Sequence, residues 1–393
     1  MTNPPRQRDT AHFIIIFLLV SFNLRMSFSA ADPLLARLMK ALHMGVGSSS
    51  LFGLLPIMAL GVAAPLGAKL VQWVRPGVLI IYALLFATAG VVWRSSGELP
   101  GLFGGTLIIG LGLGVAGSVI LGMARQATPG HVPELMSAYT ACVSLGTAVG
   151  AGVATPLEEL LGSWRAGLLI WALPLLAATG LWSLLVLRRQ NERTTQRAMK
   201  VPMLPLLKQR NARVISLYYL FRVASAWLLI VWLATLMKER GLSAAEAGWV
   251  LALATACQIP SAFLSGLLSR WMGGIHRLMS VATILAILAC WGLMAAPLAL
   301  WPWAAACLGL GLGGIFSIGM TLIAAAEPTE AGTIALSGLA QGSGFIGGGL
   351  LAWVAGMGLS LPHPPLVMGT IYTVLAVTGL YFGLQCRINQ EEK

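Results

Sequence analysis

Phe22-Asn23-Leu24-Arg25-Met26-Ser27-Phe28-Ser29-Ala30-Ala31-Asp32 places an arginine inside an apolar run that begins at His12 and Phe13. That run is long enough to cross a bilayer. An arginine at the centre of a membrane helix costs about 2.5–3.5 kcal/mol or more, so a chain that keeps one needs it for a partner. About half the chain later, Tyr218-Tyr219-Leu220-Phe221-Arg222-Val223-Ala224-Ser225 sets a second arginine deep in an apolar run, 197 positions on. The two read as equivalent positions of an internal repeat.

Composition supports a membrane setting. The chain has 393 residues, 57% hydrophobic and 10% charged, with a mean hydropathy of +0.83. Soluble domains carry about 25% charged residues. Continuous apolar segments recur along the whole length, which indicates a polytopic helical protein and excludes the alternating pattern of a β-barrel. The net charge of +12 reads as the positive-inside bias, not as nucleic-acid binding. The cysteines Cys142, Cys257, Cys290, Cys307 and Cys386 form no CxxC and read as small core residues, with no metal site. Arg6, Arg8 and the first apolar run resemble a signal peptide ending near Ser29-Ala30-Ala31, but Arg25 interrupts it and many spans follow; it reads as an uncleaved helix.

Twelve spans are expected. With the N-terminus inside, seventeen Lys and Arg fall on the cytoplasmic side and six outside, the outer set including Arg37, Lys40 and Arg94. Both termini then lie in the cytoplasm, in a bacterial-type inner membrane. The expected organisation is an N-terminal six-helix bundle (1–187), a basic cytoplasmic linker (188–213) and a C-terminal six-helix bundle (214–393). The fold class is an all-α membrane protein with two pseudo-symmetric bundles.

Other matches support the repeat. Gly110-Leu111-Gly112-Leu113-Gly114 recurs as Gly309-Leu310-Gly311-Leu312-Gly313. Gly67 matches Gly266 at the same offset of 199, and Gly146 and Gly150 match Gly344 and Gly348 at 198. The near-constant offset implies two parallel halves related by an axis along the membrane normal. Small residues let membrane helices approach closely.

This organisation resembles the major facilitator superfamily over the whole chain. Leu24-Arg25 followed by Pro33-Leu34-Leu35 resembles its cyanate-transporter and 2-nitroimidazole-transporter (CynX/NimT) branch. So do Gly309-Leu310-Gly311-Leu312-Gly313-Gly314 and Ala340-Gln341-Gly342-Ser343-Gly344-Phe345-Ile346. The chain departs from the superfamily's loop signature, which places an acid four residues after a glycine; here those positions hold Val71 and Arg270. Arg222 is not expected from the cyanate-transporter pattern. Arginines in the first and seventh helices are similar instead to the organophosphate/phosphate antiporters of the superfamily, where two guanidinium groups face each other across a central cavity and hold an anion.

The repeat leads to the same expectation. Two positive charges ~8 Å apart repel by about 2 kcal/mol at an effective dielectric of ~20, and an anion between them reverses that sign. Guanidinium groups also bind carboxylate or phosphate bidentately. The expected function is secondary active transport of a small organic or inorganic anion by alternating access, clamped at the midplane by Arg25 and Arg222. Local pairing of Arg25 with Asp32 is the structural alternative. Ser29, Tyr139, Tyr218, Tyr219, Gln258 and Gln341 are further candidate substrate contacts; buried glutamines also serve as helix–helix glue. Asp32 is the candidate proton site, or a partner for Arg37. Coupling is to protons or a counter-anion, and the carrier is expected to be a monomer among membrane lipids. A drug or neutral-compound efflux carrier of the same fold is the rival reading. No HExxH and no Ser/His constellation suggests an enzyme, and no cofactor is expected.

Overall fold

The computed structural model describes residues 7–190 and 203–387. Its twelve membrane-length helices are α1 (Thr10–Ser29), α2 (Leu51–Leu70), α3 (Pro76–Arg94), α4 (Leu99–Ala127), α5 (Val132–Leu161) and α6 (Trp164–Arg188), then α7 (Arg210–Glu239), α8 (Ala245–Trp271), α9 (Ile275–Ala295), α10 (Leu298–Ala326), α11 (Glu330–Met357) and α12 (Pro364–Leu384). Among the described residues there is no strand, as expected where only helices and closed barrels satisfy every backbone group in lipid. Most of the basic stretch between α6 and α7, residues 191–202, lies outside the described residues.

Local chemistry sets several helix ends. Ser243 caps α8: its Oγ accepts from the Glu246 amide at 3.2 Å, and the Glu246 carboxylate accepts the Ser243 amide at 2.8 Å. Such reciprocal capping satisfies two amides that a helix start leaves open. At the end of α7, Arg240 reaches the carbonyl ends of α9, donating to Ala296 at 2.7 Å and to Leu293. A cation there also complements the negative end of the helix dipole.

The chain forms two compact units that do not follow the sequence halves strictly. One comprises Met1–Gly130, Cys142–Met203 and Pro328–Gly342. The other comprises His131–Ala141, Leu204–Glu327 and Ser343–Lys393. The start of α5 therefore belongs with α7–α10, and the start of α11 with α1–α4.

The glycine repeat explains the packing inside each unit. In α4, Gly110 and Gly114 press on Ala59 and Ala63 of α2, and Gly112 on the Ala83 carbonyl and Ala87 of α3. In α10, Gly309 and Gly313 press on the carbonyls of Ala254 and Gln258 of α8, and Gly311 on the Ala282 carbonyl and Ala286 of α9. A side chain at any of these positions would collide with backbone or a methyl. The backbone approach that membrane helix packing requires is thus made twice, at matching positions. About three-quarters of α4 and α10 is buried (78% and 72% of their apolar windows), the most of the twelve.

The two exchanged segments are seated differently. In the first unit the start of α11 is seated by glycine and apolar contacts: Gly338 rests on Ala68 and the Ala64 carbonyl, and Ile334 on Gly122. In the second unit the start of α5 is polar. Ser137 Oγ lies 3.0 Å from both Ser265 Oγ of α8 and Ser317 Oγ of α10, and Glu134 forms an ion pair with Arg270, Oε1 lying 2.5 Å from Nε. Arg270, standing where the loop signature has an acid, thus takes part in an ion pair of its own.

One helix departs from α geometry inside a span. Between the α-helical parts of α11, Glu330–Ser343 and Gly349–Met357, residues Gly344–Gly348 form a π-helical turn. Such insertions are rare and concentrate at functional sites.

Candidate functional site

Arg25 lies one turn before the end of α1. The fifth helix crosses at this point: Gly146 rests on the Phe22 carbonyl and Gly150 on the Met26 carbonyl. Arg25 is half-buried. Its neighbours on α1 spend their polar groups locally. Ser29 Oγ donates to the carbonyls of Arg25 (3.3 Å) and Met26 (3.2 Å), and Asn23 Nδ2 to the Leu19 carbonyl at 2.9 Å.

Two further charges join Arg25. Asp32 lies in the turn after α1, beyond the membrane-crossing stretch. It is exposed to solvent. The protein packed around it still strips enough water from its carboxyl to push it up to about 6, against the pull of Arg94 and Arg25. Arg94, at the end of α3, is fully buried at 0% exposure. Its Nη1 donates to the Ser27 carbonyl at 2.8 Å, while Nε and Nη2 have no hydrogen-bond partner. Arg94, counted among the outer-side charges, is therefore not a solvated one: it folds inward to brace the break after α1. Nor is Asp32 the partner of Arg37, which pairs with Glu158 and, at 3.0 Å, with Glu159.

Arg222 stands near the middle of α7, where the eleventh helix crosses. Gly348 rests on the Leu220 carbonyl and Val223, and Gly344 on the Tyr219 ring. This is the α5–α1 crossing repeated, with Gly344 and Gly348 in the places of Gly146 and Gly150. No carboxylate pairs with Arg222 among the described residues. Its guanidinium carbon lies 4.9 Å from the centre of the Tyr219 ring and 4.3 Å from that of Phe316 of α10. Its Nη1 is buried and has no hydrogen-bond partner. Aromatic faces stabilise a cation without consuming its donors, so the N–H groups of Arg222 are left for another acceptor.

The remaining candidates divide. Tyr219 belongs to the Arg222 cluster through its ring and also meets Phe345 edge-on at 5.9 Å. The Tyr218 hydroxyl donates to the Ile315 carbonyl at 3.2 Å and ties α7 to α10. Gln341 Nε2 donates to Ser337 Oγ at 2.7 Å, one turn back on its own helix. Gln258 is half-buried on α8, beneath Gly313 of α10. Tyr139 is buried on the start of α5. Sequence reasoning missed Arg94, Phe316 and the π turn. The Gly344-Phe345-Ile346-Gly347-Gly348-Gly349 run was the available signal for the last, since so many glycines in a span weaken regular helix.

The sequence profile of the Major Facilitator Superfamily matches residues 17–352. The chain is 28% identical over 374 residues to the cyanate transport protein CynX of Escherichia coli (strain K12), covering 93% of this chain and 94% of that protein. It is 25% identical over 330 residues to the 2-nitroimidazole transporter of the same organism, covering 84% and 83%. Among solved structures it resembles the transporter FucP in its outward conformation, with a TM-score of 0.74 at 15% identity, covering 96% of this chain and 99% of that one.

Proposed function

Because the chain belongs to the Major Facilitator Superfamily, a family of small-molecule transporters, we propose that this multi-pass membrane protein is a secondary carrier of a small anion. Arg25 and Arg222 are the two cationic contacts of the substrate. The observation that carries this reading is Arg222: a half-buried arginine held by two rings, with no carboxylate paired to it among the described residues and a buried donor unspent. A cation gains nothing from that donor set, and a neutral acceptor gains less from it than a carboxylate, cyanate or bicarbonate oxygen does. The cyanate transporter among the relatives agrees with a small anion. The excess of Lys and Arg on one side supports a bacterial inner membrane with both termini in the cytoplasm, and the carrier is read as a monomer. Asp32, whose carboxyl is pushed up to about 6, is the proton-coupling group. Exchange for a counter-anion is the alternative mode.

A second reading has support in the 2-nitroimidazole transporter and in the rings beside Arg222: export of a neutral nitroaromatic compound. One experiment separates them. Purified wild type, Arg25→Ala and Arg222→Ala are melted with cyanate, bicarbonate, phosphates, carboxylates and 2-nitroimidazole. A ligand at 100 times its Kd stabilises the folded state by about 2.7 kcal/mol. The anion reading expects stabilisation by a small anion that is lost in both variants. Retention in either variant, or stabilisation by the neutral compound alone, refutes it.

A further inference from the structure

We propose that the π-helical turn of α11 is a positioning element: through Gly344 it sets the Tyr219 ring, and the ring sets the Arg222 guanidinium for the substrate anion. This rests on the anion reading above and assigns roles to Gly344, Tyr219 and Phe316 within that site.

The argument begins with the glycines. Gly344, Gly347 and Gly348 all face α7: Gly344 lies against the Tyr219 ring, Gly347 against the Leu220 side chain and Gly348 against the Leu220 carbonyl. A methyl group at Gly344 would land on the ring atoms of Tyr219. The ring is therefore held from one side by bare backbone. Phe345, the next residue of the turn, meets the same ring edge-on at 85°. On the α10 side, a methyl group at Gly319 would lie in ordinary contact with the ring, 3.7 Å away, and with the Arg222 Cδ at 3.5 Å. Tyr219 thus has little freedom to turn.

The consequence falls on Arg222. It is three residues after Tyr219, the spacing at which helix side chains meet, and its guanidinium sits over that ring and over Phe316. An arginine stem has several rotatable bonds, and fixing it costs entropy. A carboxylate could fix it only by occupying its donors. Two rings fix it and leave the donors free. The wider π turn is what differs from the other half, where Gly146 and Gly150 make the equivalent crossing from an uninterrupted α-helix. There the glycines rest on backbone carbonyls. Here Gly344 rests on an aromatic face.

The test uses the full-length protein and its thermal stabilisation by sodium cyanate and sodium formate. Tyr219→Leu and Gly344→Ala should each weaken anion affinity about tenfold, the scale of a desolvated cation–π contact. Tyr219→Phe, which keeps the ring, should stay within about twofold. The double variant Gly344→Ala/Tyr219→Leu should be no worse than either single, because both act through one ring. Melting without salt reports folding separately. If Gly344→Ala does not fold, the contrast between Tyr219→Leu and Tyr219→Phe decides alone. Loss in Arg222→Ala with wild-type affinity in Tyr219→Leu overturns the positioning role and leaves the anion reading intact. Additive losses in the double variant overturn it equally. Unchanged affinity in Arg222→Ala, or no response of the wild type to either salt, overturns the anion reading and the positioning role with it.

Discussion

Arg25 and Arg222 occupy equivalent places in the repeat, under equivalent glycine crossings, and yet their surroundings differ in kind. Arg25 shares its unit with a buried arginine and a carboxylate, Arg94 and Asp32. Arg222 has two aromatic rings and, among the described residues, no carboxylate partner. The duplicated backbone has kept the crossing geometry and exchanged the means of holding a cation. Where a carboxylate is present, charge can change with protonation. Where only rings are present, it cannot.

The largest effect expected from this contrast is on Arg94. It is fully buried and holds the Ser27 carbonyl at 2.8 Å, so Arg94→Ala should lose about 3–5 kcal/mol of stability through the lost charged hydrogen bond and the cavity left by a large side chain. A melting temperature within a degree of wild type would break the view of Arg94 as a brace. Next comes Arg222→Ala. It should melt close to wild type while its anion affinity falls by about 1.5–3 kcal/mol, the worth of a hydrogen bond to a charged group. Isothermal titration read beside the melting curve checks both halves, and a large melting loss would make Arg222 structural.

The third effect concerns pH. The Asp32 carboxyl is raised from 3.8 to about 6, so the folded protein takes up a proton between those values. Its contribution to stability is then greatest below that window and declines as pH rises through about 6. Arg94 and Arg25 are the charges acting on it. Wild type should lose stability relative to Asp32→Asn between pH 5 and 7.5; parallel profiles would remove Asp32 as a titrating group. Smaller still is Ser137→Ala, at about 1 kcal/mol for one hydroxyl's hydrogen bonds. Smallest is Glu134→Gln, at most about 1 kcal/mol because its pair with Arg270 is partly exposed. Denaturant titration resolves the two, and a reversed order would mean that the rim charge outweighs the hydroxyls.

Much of this was legible in the sequence because it depends on backbone spacing. The glycine runs at 110–114 and 309–313 report helix contacts directly, since only a missing side chain allows them. Arg25 and Arg222 stood out because a charge in an apolar run is costly. Arg94 did not, because it sits where an apolar run ends, beside Ser95-Ser96-Gly97-Glu98, and reads as an ordinary loop charge. Its inward turn is decided by the break after α1, which no local pattern announces. Phe316 was invisible for the opposite reason: one more aromatic in an apolar helix carries no signal until a cation lies over it. The dependence of Arg270 on Glu134 links residues far apart in sequence, which single-sequence reading cannot pair.

The serine seam at the start of α5 has one consequence for how it comes apart. Ser137 already donates to the Pro133 carbonyl at 2.7 Å and Ser265 to the Ala262 carbonyl at 2.7 Å. With those protons kept inside their own helices, the Ser137–Ser317 contact draws its proton from Ser317, and Ser137 and Ser265 meet only as packed oxygens. A helical serine can turn that proton to a carbonyl one turn back. Were α5 parted from α8 and α10, each hydroxyl would still have a carbonyl of its own helix within reach, so the loss would stop at the inter-helix contacts and strand no proton in the apolar interior.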